Sequence, residues 1–184
     1  VQSDKKIWAD FKSGDKKATS NIYHENIQLL YRYGKKLTTD DDLIKDKIQE
    51  LFYDLIRTRE NLGSTDNIRF YLIKALRRRI FSELKKKSLF VEPADNENDC
   101  FMASCEEELI EMENDRYRDE MVKKAVKMLS PRKREILFYR YSCNFEYNQI
   151  CEIMNIEYDT ARKLVFRGLS SLKEYLVKMD FILY

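Results

Sequence analysis

Apolar residues recur along this chain at spacings of three and four, over windows too long for strands, and this period predicts a helical protein. A short first helix carries Ile7, Trp8 and Phe11, with Asp4 as its cap and Gly14 as its stop. A second helix from about residue 15 sets Ala18, Ile22, Ile27, Leu30 and Tyr31 along one stripe, with Gly34 a point of fraying or kinking. Asp40, Asp41 and Asp42 supply a cap and first-turn carboxylates for a third helix, whose apolar positions are Ile44, Ile48, Leu51, Phe52 and Leu55. Residues 57–67 read as a loop around Gly63 and Ser64. A fourth helix over about 67–87 has Ile68, Leu72, Ala75, Leu76 and Ile80 as its apolar positions and basic residues on the remaining arc. Four such helices enclose one core.

Downstream, Ser130-Pro131 is a helix start, since serine caps and proline at the first position gives up only an N–H with no intrahelical partner. That helix ends near residues 142–144. The segment YNQICEIM (147–154), a break at 155–157 and a long helix from 158 to about 178 then form a helix-turn-helix, in which Ile150, Ile153 and Met154 face Ala161, Leu164 and Val165. Asn155 stands at the turn position that needs left-handed backbone. Between the two helical groups, residues 92–99 (EPADNEND) join turn formers to carboxylates without an apolar period, which predicts a flexible connector. Helical spacing is expected to resume near Ser104, with Leu109, Met112, Met121 and Val122. No internal repeat is present. The expected fold is all-α: two small helical domains, residues 1–88 and 119–184, joined by a flexible acidic linker over 89–118, the second domain a helix-turn-helix.

Composition narrows the function. Only 4 Gly and 2 Pro in 184 residues argue against a turn-rich sandwich or barrel. A single histidine, His24, argues against histidine metal sites and Ser-His or Cys-His nucleophiles. No run approaches the ~18 apolar residues of a membrane span, and the opening VQSDKK lacks the apolar stretch of a signal peptide. The expectation is a cytoplasmic protein that is not an enzyme and takes no cofactor, metal or small-molecule substrate. Cys100, Cys105, Cys143 and Cys151 match no zinc-knuckle spacing and read as reduced thiols, Cys151 as a small core residue.

The formal net charge of +2 hides strong segregation. Residues 66–87 carry eight basic and two acidic side chains; residues 88–120 carry two basic and twelve acidic; residues 121–178 carry twelve basic and six acidic. Two cationic blocks flank an acidic connector, and such blocks mark interaction surfaces because clustered like charge is offset by an opposite partner. In the last helix Tyr158, Thr160, Arg162, Lys163 and Arg167 are exposed candidates. Arginine bridges guanine O6 and N7 in the major groove, while Lys163 and Arg167 suit phosphates. In the helix over 67–87, Phe70, Tyr71 and Phe81 among cations suit a single strand, each stacked base contributing ~1–3 kcal/mol. Two rival classes fit part of this pattern. One is a stand-alone helix-turn-helix transcriptional regulator, which usually dimerises on two half-sites. The other is a nuclease built on Glu106, Glu107, Glu108 and Glu111, which here sit in a solvated acidic tract.

Two segments carry a family resemblance. DKIQELFYDLI (46–56) followed by RFYLIKALRRRIFSELKKK (69–87) resembles region two of the extracytoplasmic-function sigma factors of bacterial RNA polymerase. LSPRKREILFYRY and YNQICEIMNIEYDTARKLVFRGLSSLKEYL, within 129–176, resemble their region four. The resemblance implies a sigma factor that binds core polymerase through the β′ clamp helices and the β flap, and directs promoter-specific initiation. Asp46, Gln49, Glu50 and Tyr53 then fall where the family meets the clamp helices. Residues 59–67, with Asn61 and Asn67, match the loop that pockets a flipped base of the −10 element; Arg69, Tyr71, Lys74 and Arg78 fall on the helix that guides the melted strand. Tyr158, Thr160, Arg162, Lys163 and Arg167 match the −35 recognition helix. The remaining partners implied are promoter DNA and a membrane-associated anti-sigma factor. Two departures stand out: Arg78 and Ser82 replace a common Asn and Asp, and Glu157 replaces the usual serine cap of the recognition helix.

Overall fold

A computed structural model describes residues 3–88, 101–102 and 116–182; these are helices and their connections, with no strand among them. The chain divides into two units, Val1–Glu97 and Asn98–Tyr184. The expected helical onset near Ser104, with Leu109 and Met112, lies outside the described residues, as do Cys100, Cys105 and the carboxylates Glu106, Glu107, Glu108 and Glu111.

In the first unit, α1 (Asp4–Lys12) buries Trp8 and Phe11 and gives way to Gly14, whose φ of 91° is costly for any residue with a Cβ. Asp4 does not cap this helix. Ser3 stands at the cap position, and the Asp4 carboxylate accepts instead from the backbone N–H of Ile68 at 2.9 Å, satisfying a first-turn donor of a distant helix. The second helix, α2 (Lys16–Leu37), begins as expected on Asp15, which accepts from the Lys17 N–H at 2.8 Å. Its buried line is Ala18, Ile22, Asn26, Leu29, Leu30, Tyr33 and Leu37, whereas Ile27 and Tyr31 of the expected stripe are half-buried. An asparagine is accommodated there because its amide donates to the Ile22 carbonyl at 2.8 Å.

Gly34 neither frays nor kinks α2, which runs through it to Leu37. A Cβ at that position would sit 2.6 Å from Ile44 Cγ2, so the glycine is there to let the next helix approach. That helix, α3 (Asp41–Arg57), is capped by Asp40, which accepts from the Leu43 N–H at 3.0 Å, and it buries the five expected residues together with Leu43. A 3₁₀ turn (Arg59–Asn61) opens the following loop. The fourth helix, α4 (Ile68–Ser88), starts under Asn67, whose side-chain oxygen accepts from the Phe70 N–H at 2.8 Å. It buries Ile68, Leu72, Ile73, Leu76 and Ile80, with Ala75 half-buried. Helix α2 packs on α1, α3 and α4, and α3 packs on α4, closing the single four-helix core that the pattern predicts.

In the second unit, α5 (Arg116–Met128) buries Met121 and Ala125 and is followed by buried Leu129, while Val122 faces outward. The sixth helix, α6 (Pro131–Leu137), has Pro131 at its first position; the Ser130 hydroxyl makes no capping bond, so proline supplies the start. A π turn (Phe138–Ser142) extends it, and Asn144 leaves it with φ 57°. Buried Glu135 accepts from the Tyr139 hydroxyl at 3.1 Å, and the Tyr139 ring stacks on Phe145 with centroids 5.8 Å apart. Helix α7 (Tyr147–Met154) ends at Asn155, left-handed at φ 50°, ψ 56°, and α8 (Tyr158–Ile182) follows. Ile150, Ile153 and Met154 are buried with Ala161 and Val165, and Leu164 is half-buried, which is the expected helix-turn-helix core. Cys151, assigned to the core by pattern, is half-buried, whereas Cys143 is buried; both are free thiols.

One residue of the acidic stretch belongs to this second core. Phe101 is 3% exposed, its ring centroid 5.7 Å from that of Phe138 and 6.5 Å from that of Tyr139. The Arg134 guanidinium donates to the Phe101 carbonyl from Nε at 3.2 Å and Nη2 at 2.9 Å, and from Nη1 to the Lys127 carbonyl at 3.0 Å. Burial lowers the pKa of Arg134 from its ordinary value, and these carbonyls supply acceptors for the partly desolvated cation.

Candidate nucleic-acid and protein-binding faces

Three faces gather most of the residues singled out from sequence; Arg69, Asn67 and Tyr158 stand apart. On α3 the buried set Ile44, Ile48, Leu51, Phe52 and Leu55 leaves the opposite side outward, and Asp46, Gln49, Glu50 and Tyr53 share it at spacings of three and four. Tyr53 is 66% exposed and continues into exposed Ile56. Glu50 pairs with Lys47 at 2.8 Å, and the Arg57 guanidinium lies 5.8 Å from the Tyr53 ring centroid. This face therefore exposes a tyrosine and an isoleucine on the same helix side as the carboxylates Asp46 and Glu50.

The second face lies on α4 and the loop before it. At 3.6 residues per turn, Tyr71, Lys74, Arg78 and Phe81 line one stripe beyond Asn67, opposite the buried one. Lys74 and Arg78 are exposed, and Tyr71 is half-buried because it leans on Trp8 with ring centroids 5.0 Å apart. Phe81 is covered by the Arg77 guanidinium, 4.5 Å from its centroid. Arg69 is not brought to this stripe: it falls on the side of Ile68, Leu72 and Leu76 and is half-buried. Asn67 is committed to capping α4, while Asn61 is exposed on the loop. Arg79 is also withdrawn from the cationic face, reaching Asp54 of α3 at 3.1 Å; Arg79 and then Arg57 hold the Asp54 carboxyl below its ordinary pKa.

The third face lies on α8. Ala161, Val165 and Gly168 turn toward the core, which leaves Asp159, Arg162, Lys163, Phe166 and Arg167 around one shallow depression open to solvent. Arg162, Lys163 and Arg167 are all exposed, and so is Thr160, which flanks them at the edge. Tyr158 sits apart, against Tyr147 of α7 with ring centroids 5.5 Å apart, and the Arg140 guanidinium stands 5.1 Å from the Tyr147 centroid. Sequence reasoning missed Phe166. It is 71% exposed in the middle of the cationic residues, and the signal was available: at i+4 from Arg162 and i−1 from Arg167 it cannot join the Ala161–Val165 stripe. An apolar ring among arginines suits a groove that offers thymine methyl groups beside guanine acceptors.

Residues 22–90 match the family model described as sigma-70 region 2, and residues 119–172 match sigma-70 region 4; together they span two thirds of the chain. No curated protein matches by sequence. Among solved structures, the sigma factor RpoE from Bartonella quintana in complex with the anti-sigma factor NepR aligns at a TM-score of 0.60 and 20% identity, covering 88% of this chain and 97% of that one. CnrH in complex with the cytosolic domain of CnrY aligns at a TM-score of 0.60 and 11% identity, covering 96% of this chain and 99% of that one.

Proposed function

Because this chain belongs to the sigma-70 family, we propose that it is a promoter-specificity subunit of the extracytoplasmic-function type, which docks on core RNA polymerase through the α3 face, engages the opened −10 region through α4 and residues 59–67, and reads the −35 duplex through α8. The observation that carries this reading is the presence of both matched segments, in order, in one chain whose two cationic helix faces are exposed. No covalent chemistry is required. Promoter choice follows from differential binding, and tethering two modest binding modules on one polypeptide multiplies their joint affinity. The duplex-reading face needs intact major groove, whereas the stripe of Tyr71, Lys74 and Arg78 joins cations to an aromatic ring, as single strands require.

An anti-sigma protein is proposed as the inhibitory partner, by analogy with the Bartonella quintana complex, and the amphipathic α3 strip and the cationic faces are the surfaces it would cover. Cytoplasmic action is part of the proposal; among the described residues no helix is long and apolar enough to cross a membrane.

Run-off transcription with purified core polymerase on genomic fragments tests the reading. The wild-type protein is expected to produce discrete new start sites. Glu50→Lys is expected to abolish them by loss of polymerase binding. Arg162→Glu is expected to retain polymerase binding but lose duplex-dependent initiation. Unchanged start sites in both variants would overturn the assignment of these faces.

A further inference from the structure

The first helix lies before the segment that matches the region-two model, yet three of its side chains hold the backbone around the 59–67 loop. Asp4, Trp8 and Lys12, spaced i, i+4 and i+8, share one side of α1. Trp8 Nε1 donates to the Gly63 carbonyl at 2.8 Å, Lys12 Nζ donates to the Leu62 carbonyl, and the Asp4 carboxylate accepts from the Ile68 N–H at 2.9 Å. The Trp8 ring also supports Tyr71, and the Arg59 guanidinium lies over Gly14 at the end of α1, 3.7 Å from where a Cβ would stand. One short helix thus holds the middle of the loop and the start of the helix that follows it, and supports the aromatic ring next to it.

We propose that α1 is a positioning element for base choice: by drawing the Leu62 and Gly63 carbonyls inward, it turns the Gly63 and Ser64 N–H groups outward and sets the loop to accept a base edge rich in hydrogen-bond acceptors. This inference rests on the assignment of the loop to the opened −10 strand. Its physical basis is the trans peptide plane, in which the N–H of one residue points opposite to the carbonyl of the residue before it. Neither N–H is engaged in a hydrogen bond among the described residues, and Gly63 and Ser64 are both exposed. A Cβ at Gly63 would meet nothing within 4 Å, so the space beside these donors is open. Exposed Asn61, Ser64 and Asp66 supply the remaining polar groups of the rim. Without α1 the peptides at 62–64 are free to rotate, and the loop offers donors and acceptors in turn.

The test uses the full chain with core polymerase on the strongest promoter recovered from genomic fragments, with all four bases placed at every position of the −10 region. Trp8→Phe keeps a ring against Tyr71 but removes the N–H; Lys12→Met keeps the stem but removes the ammonium. The freed carbonyls belong to an exposed and a half-buried residue that water can reach, so Lys12→Met alone is expected to melt near wild type, whereas Trp8→Phe, which shrinks a fully buried side chain, is expected to lower the melting temperature without unfolding the protein at the assay temperature. The double variant is expected to flatten base preference at one −10 position by about three- to tenfold per hydrogen bond lost. Preferences at the other −10 positions and in the −35 region are expected to persist, and Lys12→Arg is expected to restore selectivity. The inference is overturned if the double variant keeps wild-type preference at every position, or loses it uniformly at all of them. If the wild-type protein itself fails to direct initiation, the underlying functional reading fails instead.

Discussion

Phe101→Ala separates the two units by their stability. The ring is 3% exposed and packs against Phe138 and Tyr139, so truncation removes a fully buried aromatic and leaves a cavity, a change that typically costs ~3–5 kcal/mol. Part is offset, because residues 101 and 102 no longer need to be ordered, worth about 1–2 kcal/mol of backbone entropy for a segment that loosens. The net loss expected is about 1–4 kcal/mol, a large share of the ~3–10 kcal/mol available to a helical unit of this size. The protein carries its own internal control. Its single tryptophan, Trp8, is buried in the first unit, so tryptophan emission reports that unit alone, while far-ultraviolet circular dichroism reports helices in both. In a urea titration, the dichroism transition of the variant is expected to gain an early phase, about 2 M below its wild-type position at a slope near ~1 kcal/mol/M, while the Trp8 transition stays put. An unchanged dichroism curve would refute the anchoring of Phe101. An equal shift of the Trp8 transition would refute its assignment to the second core.

Further outcomes follow from single features. Gly34→Ala gains up to about 1 kcal/mol of helix propensity but drives a methyl into Ile44, which is fully buried; net destabilisation by about 1–2 kcal/mol is expected in the Trp8 transition, and in a double-mutant cycle this increment is expected to vanish in the Ile44→Ala background, although Ile44→Ala itself costs ~2–5 kcal/mol. Asp40 is held below its ordinary pKa by the Leu43 N–H and Lys87, Asp41 by Lys35, and Asp54 by Arg79 and Arg57. Lowered carboxyl pKa values stabilise the fold above the unfolded pKa and cease to do so as pH falls through the folded one, so the Trp8 midpoint should be flat from neutral pH to about 5 and decline below about 4. Phe166→Ala is expected to weaken polymerase-dependent initiation most at promoters with thymine in the −35 element, measured as a narrowed preference for thymine over cytosine, whereas Lys163→Ala should weaken all promoters alike and lower the salt slope by about 1.

The helical class, the four-helix core of the first unit and the helix-turn-helix of the second were determined by the sequence itself, since a 3.6-residue period, the Asp15, Asp40 and Pro131 start signals and the left-handed Asn155 are all local. The exposed faces of α3 and α8 followed from the same periodicity, because whatever does not face the core faces outward. Tertiary structure decided most of the rest, through contacts between different segments of the chain. Asp4 looks like the cap of its own helix until Ile68 is brought to it from 64 residues away. Gly34 looks like a helix breaker until Ile44 is packed against it, and Phe101 looks like linker until Arg134 and the Phe138–Tyr139 rings close around it. Arg69 and Arg79 count as cations in a charge tally, yet the first lies on the core side of α4 and the second is drawn to Asp54. Local pattern specifies which way a residue can face on its own helix; the identity of the atom that meets it there is set by packing between segments that no window of sequence contains.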